Sequence, residues 1–402
     1  MRQLIYFEWR KSFHRLAVLA LLVLFTAVDV AKIYSVYQEN SHLAMDESWH
    51  TAFWGLYDNY AGEMNTDKIN SLLVLYRPLE EQTADLTATT AYGIEGTLTG
   101  NIWSDKNLID RYYMKPMQYC YTYQNLAAQI HLKANENVSL YTVLNNSYEV
   151  SKNRRIAALY NGRQVHDFRY TEGWQYYVYY DFSVVLSLLL CLYGLSQMFP
   201  RERESRMDML LPTARNGGRR TVAGKLIAGT LYIVGISLWF SVVDYFLFSS
   251  IFNLWDGAAL PIYAINNLAY ASVALTMWQY AIATALSRAL GIWVVGMAIL
   301  IISIFCRHAM FPIATGVMAT MLLSLTGAKW SYSSHTWLAA LNPYSLMAGR
   351  LLYGRTEFVN FFGIPILSWE AAVPCALTVG LCSVLMVFHF SCRGNQKRGR
   401  HS

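Results

Sequence analysis

The stretch that decides the fold runs from Phe199 to Lys225: Phe-Pro-Arg-Glu-Arg-Glu-Ser-Arg-Met-Asp-Met-Leu-Leu-Pro-Thr-Ala-Arg-Asn-Gly-Gly-Arg-Arg-Thr-Val-Ala-Gly-Lys. Seven of these residues are Lys or Arg and three are acidic, and the stretch is pinned between two apolar ones, Tyr177–Met198 and Leu226–Ser250. A loop on a soluble protein needs no such neighbours, and a membrane span does not tolerate such charge. The stretch therefore reads as a short cytoplasmic loop between two spans, within reach of a partner inside the cell. The competing reading is a solvated loop whose arginines only set topology.

The rest of the chain agrees. Of 402 residues, 54% are hydrophobic and only 14% are charged, against about one quarter charged in ordinary soluble proteins. Long apolar windows carry almost no charge and polar residues gather between them, the pattern of a polytopic membrane protein. The basic residues flank hydrophobic segments rather than covering a soluble face, which argues against nucleic-acid binding despite a net charge of +6.

Hydropathy places spans at 16–34, 177–198, 226–250, 264–286, 289–306 and 371–391. Each can cross about 30 Å of hydrocarbon at about 1.5 Å per residue. The first follows Arg2, Arg10, Lys11 and Arg15 and has no small-x-small cleavage site after it, so it reads as a retained signal anchor. Lys and Arg concentrate at the N-terminus, in 199–225 and in the tail 392–402, which puts all three in the cytoplasm and requires an even number of spans. The apolar segment 309–325 would break that parity. Pro312 and Gly316 interrupt it, so it is expected to be re-entrant, dipping in from the outer face with Arg307 and Lys329 both external.

Residues 35–175 then form one extracytoplasmic domain with sixteen acidic and eleven basic side chains. Helical periodicity in 69–76, 108–131 and 139–160 predicts a mainly helical domain, with a turn region at 87–100. Its one cysteine, Cys120, can form no disulfide within it. Trp174-Gln-Tyr-Tyr-Val-Tyr-Tyr reads as an aromatic belt at re-entry to the bilayer. The expected fold is thus an all-α polytopic membrane protein, with six transmembrane helices, a re-entrant helical segment and a mainly helical extracytoplasmic domain. Residues 1–15 form a cytoplasmic amphipathic helix, and 176–391 the main transmembrane domain.

Two acids lie inside expected spans. Asp29 has Lys32 three residues on, which suggests a local helical pair. Asp244 has no such neighbour and is a candidate pathway residue, with packing or interfacial solvation as the alternative. In Glu202–Leu211, Met207, Leu210 and Leu211 fall at i, i+3, i+4 spacing with charges opposite, as in a helix lying on the membrane surface.

Three features resemble the permease subunits of type-2 ATP-binding-cassette (ABC) exporters. The opening Leu4-Ile-Tyr-Phe-Glu8-Trp-Arg-Lys11-Ser-Phe-His-Arg15 is similar to the family's amphipathic N-terminal helix. Glu202, Glu204, Leu210, Leu211, Pro212, Thr213, Arg215 and Lys225 stand where the family places its loop pattern, although that pattern's glycine is missing and Arg206 sits near its place. Leu341-Asn-Pro343-Tyr is similar to the Leu-x-Pro element before the family's last span. The resemblance covers about two thirds of the chain and leaves 35–175 unassigned. It implies that Glu202, Glu204, Met207, Leu210, Leu211 and Arg215 form a coupling element that receives force from a separate ABC ATPase subunit. It also implies pairing with a second copy or a sister permease, and residence in a cell membrane, specifically a bacterial plasma membrane, with both termini cytoplasmic.

The chain shows no catalytic machinery of its own. A phosphate-binding loop needs G-x-x-x-x-G-K-[ST]. The nearest string, Gly218-Arg-Arg-Thr-Val-Ala-Gly224-Lys225-Leu226, has the wrong glycine spacing and Leu after the Lys. No Cys/His spacing suggests zinc, and no cofactor motif emerges. The alternative function is a membrane-anchored sensor binding a ligand through 35–175. A sensor needs a cytoplasmic output domain, and the longest cytoplasmic piece expected here is the 199–225 loop.

Overall fold

A computed structural model of the chain describes residues 1–40, 47–84, 97–207, 218–330 and 336–398. The protein is an all-α polytopic membrane protein. Among the described residues, six helices are long and apolar enough to cross a membrane: Leu16–Glu39, Glu172–Glu204, Arg219–Phe252, Met277–Phe305, Met310–Gly327 and Ser368–Ser391, here spans 1 to 6. The chain divides into two compact units. One comprises Met1–Ala31, Val178–Leu247 and Ala281–Ser402, and the other Lys32–Tyr177 and Phe248–Tyr280.

The first unit is a helical bundle. Its core joins Val184, Leu190, Leu192 and Leu195 of span 2, Tyr232, Ile233 and Phe240 of span 3, and Ile292, Met297 and Leu300 of span 4. Small residues bring the helices together, as expected where lipid removes the hydrophobic drive for helix association. A Cβ on Gly194 would lie 2.6 Å from the Tyr232 ring, and one on Gly380 would lie 2.0 Å from the Trp293 ring. A separate helix, Arg2–Ser12, precedes span 1. Before span 6, strands Phe358–Phe361 and Ile364–Leu367 form a hairpin. Its turn residues, Phe362 and Gly363, both have positive φ (49° and 85°), the twist that two-residue hairpins favour.

The second unit is mainly helical, as its periodicity predicts. Helices Glu47–Tyr60 and Thr66–Ala84 are followed by Ile102–Ile109, which runs through a π-helical turn at Asp110–Met114 into Lys115–Val143. Asn146 then caps Ser147–Tyr160, which packs back along Lys115–Val143. Phe53, Tyr57, Tyr113, Phe168 and Tyr170 form an aromatic core, in which the Tyr113 hydroxyl donates to the Phe53 carbonyl at 2.5 Å. Part of the expected turn region at 87–100 lies outside the described residues.

The number of spans is as expected, but two assignments change. Residues 264–286 and 289–306 are not two spans. The helix begins at Met277 and runs unbroken to Phe305. The apolar residues before it belong to the second unit's core, with Ile262, Ala264, Ile265 and Leu268 all buried. They lie in short 3₁₀ turns between Ile262 and Leu268. The Tyr263 carbonyl in the first turn is met by the Tyr119 hydroxyl at 2.6 Å, and after the second turn the carbonyls of Ala269 and Ala271 are met by the Tyr123 hydroxyl at 3.1 Å and by Arg163 Nη1 at 2.8 Å.

The re-entrant segment is the second correction. Residues Met310–Trp330 form one continuous helix. Pro312 sits in its first turn, where the missing N–H has no intrahelical partner to lose. Gly316 is a contact rather than a break, since a Cβ there would lie 2.3 Å from Leu192 of span 2. With 264–286 and 289–306 joined in one helix and Met310–Gly327 added, the helices long and apolar enough to cross number six among the described residues, still an even number. Arg307 is therefore not paired with Lys329 at one end. His308 lies 3.5 Å from Glu204, which puts Arg307 at the end of the bundle that carries the loop after span 2, whereas Lys329 closes the far end of the Met310–Trp330 helix. Trp174 is also reassigned. It is fully buried and its indole donates to the Leu254 carbonyl at 2.8 Å, so it is core rather than belt.

Candidate coupling site

Span 2 ends in a short turn that begins at Pro200, the first helical position, and stops at Glu204. Ser205 donates back to the Arg201 carbonyl, and Arg206 then adopts a left-handed conformation (φ 56°) that turns the chain away. Met207 thus lies beyond the helix, half-exposed at 45%. The surface helix expected over Glu202–Leu211 does not run through Met207. Leu210, Leu211 and Arg215 lie outside the described residues, as do Pro212 and Thr213.

Glu202 is not turned outward, contrary to the expectation of a charged face offered to a partner. It is 6% exposed. Its Oε1 accepts from Lys11 Nζ at 2.5 Å, and its Oε2 accepts from Lys225 Nζ. Lys225 is itself buried, donates to the Met198 carbonyl at 3.2 Å, and sits 4.8 Å from the centre of the Phe199 ring. Glu8 is buried beside this group. Burial pushes its carboxyl above the usual carboxylate range, while Lys225 and Lys11 pull it down. Glu202, Lys11 and Lys225 thus form one ion-paired cluster, with the buried Glu8 close to it. It ties the N-terminal helix, the end of span 2 and the start of span 3, all within the first unit.

Apolar and polar contacts reinforce the junction. Phe13 stacks on Tyr232 at 4.0 Å, and Trp9 meets the same ring edge-on. Arg15 Nη1 donates to the Gln197 side chain at 2.9 Å. Arg203 extends the junction to span 4, donating to the Cys306 carbonyl at 2.8 Å and to the Ile304 carbonyl. That guanidinium satisfies carbonyls that a helix end leaves open. Glu204 is the exposed member of the pair expected in coupling.

Asp244 lies elsewhere in the bundle and is 1% exposed, not at an interface. Its Oδ2 accepts from Ser183 at 2.5 Å and from Arg288 Nη1 at 3.0 Å. Asp29 does not pair with Lys32. It is fully buried and accepts from the Tyr180 hydroxyl at 2.6 Å.

The sequence reading missed Arg288 and the pairing of Glu202 with Lys11 and Lys225. One signal was available: a lone Arg in one apolar window and a lone Asp in another are complementary orphans, costly apart and tolerable together. Among the described residues, no cluster of three or more His, Cys, Asp or Glu could hold a metal ion. No protein-family model matches the chain, and no curated protein matches it.

Proposed function

We propose that the chain is the membrane-spanning permease subunit of an ATP-driven ABC transporter, an exporter. In this reading a separate ATPase subunit engages the 199–225 loop, and a second copy or a sister permease completes the pathway in a bacterial plasma membrane, with both termini cytoplasmic. The observation that supports the reading most is the cluster of Glu202 and Lys225, both buried, with the partly exposed Lys11 and the neighbouring Glu8. A loop held only by solvent would dissipate a push. This one is tied at its start by Glu202 and at its end by Lys225, so a displacement reaches spans 2 and 3 and the N-terminal helix together. Arg203 carries it on to span 4.

In this reading Glu202 belongs to the transmission, and Glu204 and Met207, exposed at the start of the loop, are the residues that meet the ATPase. Replacing 205–218 by a Gly/Ser segment of equal length should leave the protein in the membrane but abolish co-purification of an ATPase subunit. Retention of an ATPase by the replaced loop, or no ATPase on the native protein, would overturn the proposal.

A further inference from the structure

Spans 1 and 3 each carry a carboxylate that the proposed coupling does not use. Asp29 is 0% and Asp244 1% exposed, and the two are held by side chains only three positions apart on span 2, Tyr180 and Ser183. The groups around them are few. Span 2 presents the Tyr180 hydroxyl to Asp29 and the Ser183 hydroxyl to Asp244, and span 4 presents Arg288 to Asp244 and Ser183. The neighbouring Asp181 is taken up by Arg350, and Lys32, one turn from Asp29, is exposed. If both Asp29 and Asp244 were ionised, two negative charges would face the single guanidinium of Arg288. Adjacent carboxylates in a dry site do not both ionise readily, and an uncompensated buried charge is among the most destabilising features a fold can hold.

The hydrogen bonds make the same point independently. Asp29 Oδ1 is engaged by Tyr180, and Asp244 Oδ2 by Ser183 and Arg288. The other oxygen of each, Asp29 Oδ2 and Asp244 Oδ1, is buried with no donor among the described residues. Each of these two acceptors lacks a hydrogen, and one placed between the carboxylates would serve both. We propose that Asp29 and Asp244 form a proton-binding site, in which a single proton taken from solvent bridges the two carboxylates and holds span 1 to span 3. The bridge leaves one negative charge, which Arg288 balances. Any motion that parts spans 1 and 3 must then strand or release that proton, so helix separation and proton occupancy are linked. The inference does not rest on the permease reading.

The test is infrared spectroscopy of the purified protein in lipid at neutral pH. The wild-type-minus-Asp29→Asn difference spectrum should contain a carboxylic-acid carbonyl band that shifts in D₂O, and Asp244→Asn should remove the same band. Asp29→Asn should also fold like the wild type, because the amide is a neutral donor of the same shape. Absence of the band from the Asp29→Asn difference spectrum would overturn the proposal. So would loss of the folded protein on Asp29→Asn alone, since a neutral donor is all the site is said to need.

Discussion

Replacing Glu202 by Met removes the acid shared by Lys11 and Lys225. Lys11 is 28% exposed at its side chain and can turn to water. Lys225, at 3%, cannot. It would keep the Met198 carbonyl at 3.2 Å, the face of Phe199 at 4.8 Å and the nearby Glu8. Breaking a buried ion pair by deleting one partner costs about 3–5 kcal/mol, and replacing both partners by apolar groups is often neutral. With Glu8 still close, the expected cost of Glu202→Met is about 3 kcal/mol. Lys225→Met should cost less, about 1–2 kcal/mol, because Glu202 retains Lys11. Lys11→Met should cost about 1 kcal/mol or less, as for a partly exposed pair. The double variant Glu202→Met/Lys225→Met should then be more stable than Glu202→Met alone by about 1 kcal/mol, which corresponds to a coupling of about 2–3 kcal/mol. Unfolding in detergent, followed by tryptophan fluorescence, measures all four. A double variant no more stable than Glu202→Met would show that Lys225 is not held by Glu202, and the transmission argument would fail with it.

Three further outcomes follow from the packing. Single cysteines at Arg307 and Lys329, in a Cys306→Ser background, should react with an impermeant reagent from opposite sides of the membrane; labelling from one side would restore the re-entrant segment. Gly380→Ala should destabilise by about 1–3 kcal/mol, the usual cost of overpacking, because the Trp293 ring is rigid and its indole is tethered to Thr230 at 3.2 Å; a thermal shift within error, or no relief on adding Trp293→Leu, would contradict the close approach. Cys120 should resist alkylation until the protein unfolds, since burial pushes its thiol up to about 12; the thiolate is the reactive species, so rapid labelling of the folded protein at neutral pH would refute that burial.

The count of six agreed because two misassignments cancelled, one helix read as two spans and one long helix read as none, whereas the helical character of residues 35–175 was legible in its periodicity. Boundaries failed where a local signal had a distant cause. Arg288 split one long helix into two hydropathy peaks, yet Asp244, 44 positions earlier, accepts its hydrogen bond. The apolar residues from Ala264 to Ala271 resembled the start of a span because hydropathy cannot tell lipid from the inside of a domain. Gly316 resembled a breaker until Leu192 was found against it. The acids of the loop were singled out, but whether each points to solvent or to the core depends on partners as remote as Lys11, 191 positions from Glu202.

The π turn at Asp110–Met114 has a consequence of a different kind. A helix position is a count of residues, and each residue advances it by about 100°. The wide turn inserts one extra step between Ile102–Ile109 and Lys115–Val143. Deleting any one residue there would let the whole run close as a regular helix with its backbone bonds intact. A turn of this kind takes about one residue more than a regular turn to cover the same arc, so everything beyond would keep its direction relative to the first part. Tyr119 and Tyr123 would still face the carbonyls of Tyr263 and Ala269 that they now reach. The turn absorbs one residue of length locally, and the phase of the two tyrosines is set by the regular helices on either side of it.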